Sequence, residues 1–418
     1  MTGAAWNNWH VNAVIERTRR SPVERALIWS TVTSSTAKGL QFAVSALFFT
    51  TVVGLSPAAV GLGLTIAGGA GMAAAFAAGH LCDRYGAHRL LLATTITQGL
   101  ALALYCFADT AWVFCLVACV AVGAQGAQRT AQTTLLARTF TGPGRVEVRA
   151  RLRVATNVFV GAGSAIAAIP LGIGTATGYT AAMLAAACLV LSSAWPLRLL
   201  SERPAAPPGA RTDGSPLRDA RYLTVAALNG VITMQFGLLT VGMPLWVTRH
   251  THAPAAMVGL LLVVNTVVVA LCQVRAARLA RDVRAAGRTV LVASLLLLLA
   301  CLLYAAAAHF AAVVAAGVLV LAVLAHSAGE ILSEAGGWEL AFELADPRNV
   351  GAYQGVSQTG FAAGTALAPA VVTSTAIDHA TAGWSLLGMA FVAAGAGTLL
   401  VARRARKPRS GARPRPAA

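Results

Sequence analysis

Twelve runs of roughly 20 mostly apolar residues divide this chain, each long enough to cross a bilayer as a helix. The runs cover about 26–52, 58–79, 90–108, 111–136, 154–173 and 178–199 in the first half. In the second half they cover about 222–247, 256–277, 289–308, 311–335, 351–372 and 383–402. Only 11% of the 418 residues are charged, where a soluble domain carries ~25%, and 57% are hydrophobic. So few charges cannot cover a water-facing exterior of this size, and so apolar a chain is not disordered. The mean hydropathy of +0.69 agrees with an exterior that faces lipid.

The polar stretch 201–221, with four prolines, separates two sets of six runs. The expected organisation is a leader (1–25), an N-terminal six-helix bundle (26–200), a linker (201–221), a C-terminal six-helix bundle (222–402) and a basic tail (403–418). No cleavable signal segment is visible before the first run. The fold class expected is all-α integral membrane, with twelve transmembrane helices in two pseudo-symmetric bundles.

The net charge of +17 would suit nucleic acid if it formed one basic face, but the charges sit in short clusters between apolar runs. Those clusters give the orientation. With the N-terminus inside, 29 of the 32 Lys and Arg residues fall on the cytoplasmic side and one, Arg249, falls outside. The other two, Lys38 and Arg129, lie within spans. Both termini are therefore expected in the cytoplasm of a cell whose inner (plasma) membrane holds the chain. Trp29, Trp112, Trp195, Trp246, Trp338 and Trp384 lie near span ends, where an indole can sit at the headgroup level. The seven cysteines form no CxxC pair and read as small packing residues. No cofactor or metal is expected.

Polar residues inside a membrane are costly, so their helical phase is informative. Ser34, Lys38, Gln41 and Ser45 form one stripe on the first span, and Gln125, Arg129 and Gln132 repeat the spacing on the fourth. The seventh span offers Asn229, Thr233 and Thr240 with Phe236. The tenth offers His326, Glu330 and Ser333, with Glu334 at the edge. Four stripes on the first, fourth, seventh and tenth spans suggest one aqueous cavity. Arg129 and Glu330 would lie at matching depths, ~27 Å below the outer boundary, and Lys38 close to the midplane. Glu339 and Glu343 fall beyond the tenth run, on an expected solvated helical extension.

Between the second and third spans the chain reads Gly79-His80-Leu81-Cys82-Asp83-Arg84-Tyr85-Gly86-Ala87-His88-Arg89. Its glycines allow close helix approach, and Asp83 can cap a facing helix N-terminus or pair with Arg84 or Arg89. The stretch resembles the signature loop of the major facilitator superfamily, G-x-L-x-D-R-x-G-x-x-R, in the cytoplasmic position where that family carries it. A degenerate copy, Ala277-Arg278-Leu279-Ala280-Arg281-Asp282, follows the eighth span. The run Arg348-Asn349-Val350-Gly351-Ala352-Tyr353-Gln354-Gly355 and the pair Gly329-Glu330 resemble bacterial drug-exporter-type members. Ala87 and His88 stand where the family is often basic. On the fifth span Ser164 follows Gly161 and Gly163, where the family's antiporter motif has proline.

The resemblance implies a secondary transporter that exports a drug or metabolite by alternating access, exchanging it for protons. Uptake or facilitated diffusion on the same fold is the alternative. A membrane enzyme would need a clustered nucleophile, a His/Asp dyad or a metal set at one face, and none is visible. A sensor would need a sizeable soluble domain. No Walker A loop is present to use ATP directly. The expected cavity residues are Ser34, Lys38, Gln41, Gln125, Arg129, Gln132, Asn229, Thr233 and His326. Glu330 and Glu334 are the expected proton-coupling carboxylates, and Gly79, Asp83, Arg84, Gly86 and Arg89 the gating element. The partners expected are a small-molecule substrate, protons and lipid, with the chain a monomer and nucleic acid excluded.

Overall fold

In the computed structural model, residues 21–142, 144–200 and 215–404 are described. The expected leader, linker and tail fall largely outside them. Twelve long helices make up the described chain, and no β-strand occurs among the described residues. They are α1 (Pro22–Leu47, continued by a π-helical turn at Phe48–Val52), α2 (Pro57–Tyr85), α3 (Ala87–Phe107), α4 (Ala111–Thr139), α5 (Gly144–Ile173) and α6 (Ala176–Arg198). The second half supplies α7 (Ala220–His250), α8 (Met257–Ala277), α9 (Val283–Ala307), α10 (Ala312–Glu343), α11 (Val350–Ile377) and α12 (Ala380–Arg404). By length and composition, eleven of these can cross a membrane. The exception is α1, whose Ser/Thr-rich centre with Lys38 and Gln41 lowers its hydropathy.

Local chemistry starts several of the helices. Ser21 accepts a hydrogen bond from the Glu24 amide at 3.1 Å with Pro22 in the first turn, a favoured N-terminal arrangement. Asp219 accepts from the Tyr222 amide at 3.1 Å to open α7. Asp282, from the degenerate motif, accepts from the Arg284 and Ala285 amides and opens α9. Along α8, exposed Leu260, Val263, Val267 and Leu271 form one stripe, while Asn265 and Gln273 are buried on the other face. Apolar outside and polar inside is the reverse of a water-soluble helix.

The chain forms two compact units. One takes in the chain to Leu64, Leu92–Ala121 and Ala155–Pro204; the other takes in Thr65–Leu91, Val122–Val154 and the chain from Ala205. In the first unit, Phe49 packs edge-on against Phe48, Tyr105 and Phe114. Its α1 and α5 touch through backbone, since Gly39 lies against the Val160 carbonyl and Gly163 against that of Thr36. In the second unit, Trp246, Tyr304 and Trp384 are fully buried, and Trp246 Nε1 donates to the Tyr304 carbonyl at 2.6 Å.

The structure corrects three sequence readings. The signature motif is not a loop: α2 continues to Tyr85 and α3 begins at Ala87, so Gly86, at φ +94°, makes the whole reversal. The extension of α10 reaches Glu343 as expected, yet Glu339 is 1% exposed rather than solvated. Of the six tryptophans, Trp29, Trp112 and Trp195 are exposed near helix ends, while Trp246, Trp338 and Trp384 pack inside. Position along a helix does not specify which way an indole turns.

Candidate functional site

The N-terminal part of α5 is highly basic, and its helical period sorts the arginines. Arg145, Arg149 and Arg153 recur every four residues and so share a face. On α10, Glu330, Glu334, Trp338 and Phe342 show the same spacing. Within the second unit the two rows engage in opposite directions. Arg153 donates to Glu330 Oε1 at 3.2 Å, and its Nε lies 3.6 Å from Glu334 Oε2, while its guanidinium lies 4.9 Å from the Phe236 ring centre. Arg149 lies over Trp338 at 5.0 Å and Phe342 at 5.8 Å. Arg145 also lies over Phe342 and pairs with Glu343.

Glu330 is 3% exposed and held from two sides. Its second oxygen accepts from Asn265 Nδ2 of α8 at 3.0 Å, and the same amide reaches Ser327 Oγ at 3.0 Å. A buried carboxylate needs this density of partners, because desolvation outweighs a single poorly placed one. His326, one turn away, is fully buried and edge-on to Tyr304 at 6.3 Å, with no hydrogen-bond partner to either ring nitrogen among the described residues.

Beside this network lies a narrow, partly open cleft of about 20 Å³. Its walls carry Arg149, Glu334, Trp338 and Phe361, with the amides of Asn229 and Gln358. Asn229, Thr233 and Glu334, all selected from the sequence, line it; His326 and Glu330 do not. Gln125 and Arg129 bond to each other along α4 at 2.8 Å, and Gln132 lies on the same helix, also outside the lining. Ser34, Lys38 and Gln41 belong to the other unit. There Ser34 Oγ donates to the Ser30 carbonyl at 2.7 Å, and Lys38 lies over the Phe42 ring at 5.4 Å. Thr240 is exposed and bonds back to the Phe236 carbonyl, because α7 breaks near Met234 and takes a π-helical turn at Leu238–Gly242. The residues that sequence reasoning passed over are Arg149, Arg153, Asn265 and Gln358. The four-residue Arg spacing was a readable signal for two of them; nothing local marks Asn265 or Gln358.

The signature motif builds a second arrangement in the same unit. Asp83 accepts from the amides of Gly351 and Ala352, both at 2.8 Å, and thus caps α11. The same carboxylate pairs with Arg138 at 2.5 Å. The expected cap is present, with Arg138 as the ion partner, while Arg84 lies over the neighbouring Tyr85 ring. Gly79 is packed against Gly351 and Gly355, where any Cβ would strike backbone. Among the described residues no group of three or more His, Cys, Asp or Glu side chains could hold a metal ion.

The sequence model of the Major Facilitator Superfamily matches residues 27–369, and again 225–418. No curated protein matches the chain. Among solved structures, the chain resembles the human organic anion transporter MFSD10 (TETRAN) at 15% identity and a TM-score of 0.71, covering 90% of this chain and 99% of that one. It resembles a bacterial homologue of the iron transporter ferroportin in an outward-facing state at 13% identity and a TM-score of 0.68, covering 91% and 98%. The proton:xylose symporter XylE is similar at 15% identity and a TM-score of 0.63, covering 91% and 94%. At these identities the likeness is one of fold.

Proposed function

This chain belongs to the major facilitator superfamily, and we propose that it couples the movement of a small organic molecule to protons, as an exporter in the inner (plasma) membrane. It is a multi-pass secondary transporter and not an enzyme. The observation that carries the coupling is Arg153 shared between Glu330 and Glu334. Two carboxylates on one guanidinium leave a proton somewhere to go: neutralising either one loosens the pair and changes the contact between α5 and α10. Alternating access needs such an element, with two arrangements of similar free energy biased by the ligand. Asp83 on the α11 N-terminus is the proposed gate, and Asn229 and Thr233 belong to the substrate cleft.

Export follows the sequence resemblance. Uptake is the second reading, favoured by one observation: Arg149 places a cation in the cleft wall beside the proton-binding carboxylates. Reconstitution into proteoliposomes with an imposed pH gradient tests the coupling. Glu330→Gln is expected to abolish gradient-driven accumulation and retain substrate exchange. A Gln variant that still concentrates substrate removes Glu330 from the coupling role.

A further inference from the structure

Arg149 stands out among the charges of the second unit. Arg153 has two carboxylates and Arg145 has Glu343. Arg149 has no carboxylate within ion-pair distance among the described residues; its guanidinium lies over Trp338 and Phe342 and lines the cleft. It is half-buried rather than sealed. Glu334 lines the same cleft and is the nearest opposite charge, but not within ion-pair distance, and a cation so held in a cavity wall of a membrane protein marks a function by default.

The surrounding charges do not cancel. Arg129, on α4, bonds to neutral Gln125 and has no carboxylate within ion-pair distance among the described residues. Against three guanidinium groups, Arg129, Arg149 and Arg153, stand two carboxylates, Glu330 and Glu334. The group carries one excess positive charge with both carboxylates ionised, and two when either takes a proton. The rest of the wall is aromatic and amide in character: Phe236 and Phe361 pack against each other with ring centres 6.0 Å apart, beside the amide groups of Asn229 and Gln358.

We propose that the cleft takes an aromatic organic anion, its carboxylate or similar acid group bound by Arg149 and its ring against the aromatic wall. The planar guanidinium fork matches a carboxylate in geometry as well as charge. A proton on Glu334 adds to the local positive charge, so proton and anion strengthen each other's binding, and by linkage the effect is reciprocal; co-binding of this kind belongs with the uptake reading of the cleft and not with proton exchange. The proposal rests on the reading of this cleft as the substrate site. It does not depend on Glu330 being the coupling group.

The test is ligand-induced thermal stabilisation of the full-length detergent-purified protein, using aromatic acids such as benzoate, naphthoate and indole-acetate. Each is set against the amide and the amine of the same skeleton. Stabilisation is expected from the acids and not from the amides or amines. Arg149→Gln should weaken acid binding roughly 10- to 100-fold, as expected for loss of a charge-assisted contact, and Arg149→Lys should restore part of it. Circular dichroism and size-exclusion profiles identify any variant that has not folded; for that case, the wild-type acid–amide–amine comparison decides alone. Stabilisation by amines or amides in preference to acids, absence of any acid effect, or acid binding unchanged in a folded Arg149→Gln overturns the proposal. Acid binding that survives in Glu330→Gln while that variant still accumulates substrate would sink the coupling reading and leave the anion site standing.

Discussion

Arg153 and Glu330, 177 positions apart in sequence, meet at 3.2 Å with the carboxylate almost wholly buried. Removing one member leaves a charge stranded in a low-dielectric setting, which costs about 3–5 kcal/mol in comparable buried pairs. Arg153→Gln is therefore expected to lower the melting temperature markedly. The double variant Arg153→Gln/Glu330→Gln should recover the part of that loss due to Glu330, while Glu334 is left without its ion partner, and should not recover proton-driven transport. Thermal unfolding and proteoliposome flux separate the two roles. A double variant as unstable as the single would show that the pair is not the source of the loss.

Asn265 holds the other oxygen of Glu330. Asn265→Ala removes one donor and should cost about 1–3 kcal/mol. Asn265→Asp is isosteric but sets a second carboxylate against the first, so it should be the more damaging of the two. Melting temperatures and initial transport rates rank them. Equal tolerance of Ala and Asp would mean that the contact has no electrostatic role.

Asp83→Asn keeps an oxygen for only one of the two α11 amides and forfeits the charge that pairs with Arg138. A lost N-terminal cap costs about 1 kcal/mol, which a protein of this size tolerates. Folding should survive while the transport rate falls by roughly tenfold, as a 1.4 kcal/mol shift between two states implies. The check pairs circular dichroism with initial flux, and a normal flux would remove Asp83 from gating.

The basic asymmetry leads us to propose that Ser215, the first residue described ahead of α7, lies on the cytoplasmic side. A cysteine there, in a background without the native seven, should react with an impermeant maleimide in inverted vesicles and not in intact cells. Labelling of intact cells would reverse the orientation.

Helix positions were legible because the bilayer sets one length and an apolar run has no competing reading. The ends were less so: α2, α5 and α10 carry their charged turns as helix, and Arg153, counted with a loop, lies inside α5. Glu330 was legible as a charge inside an apolar span, but its ion partner was not. Arg129 matched it in depth, whereas the helix that actually reaches Glu330 is α5. Depth is a one-dimensional quantity, and a contact also needs azimuth and helix order. Thr240 fell from its predicted stripe for a related reason, since a π-helical turn changes the phase of every residue after it.

Arg145, Arg149 and Arg153 form a periodic object, and periodicity has a mechanical consequence. Their step of four residues is ~6 Å along the helix axis. If α5 slides by one step relative to α10, two of the three guanidinium positions are refilled by the next arginine in line, with only a small rotation. An isolated ion pair must break completely before its helix can move. In such a slide this row would exchange partners as a toothed rack does, so the electrostatic barrier would be set by its ends.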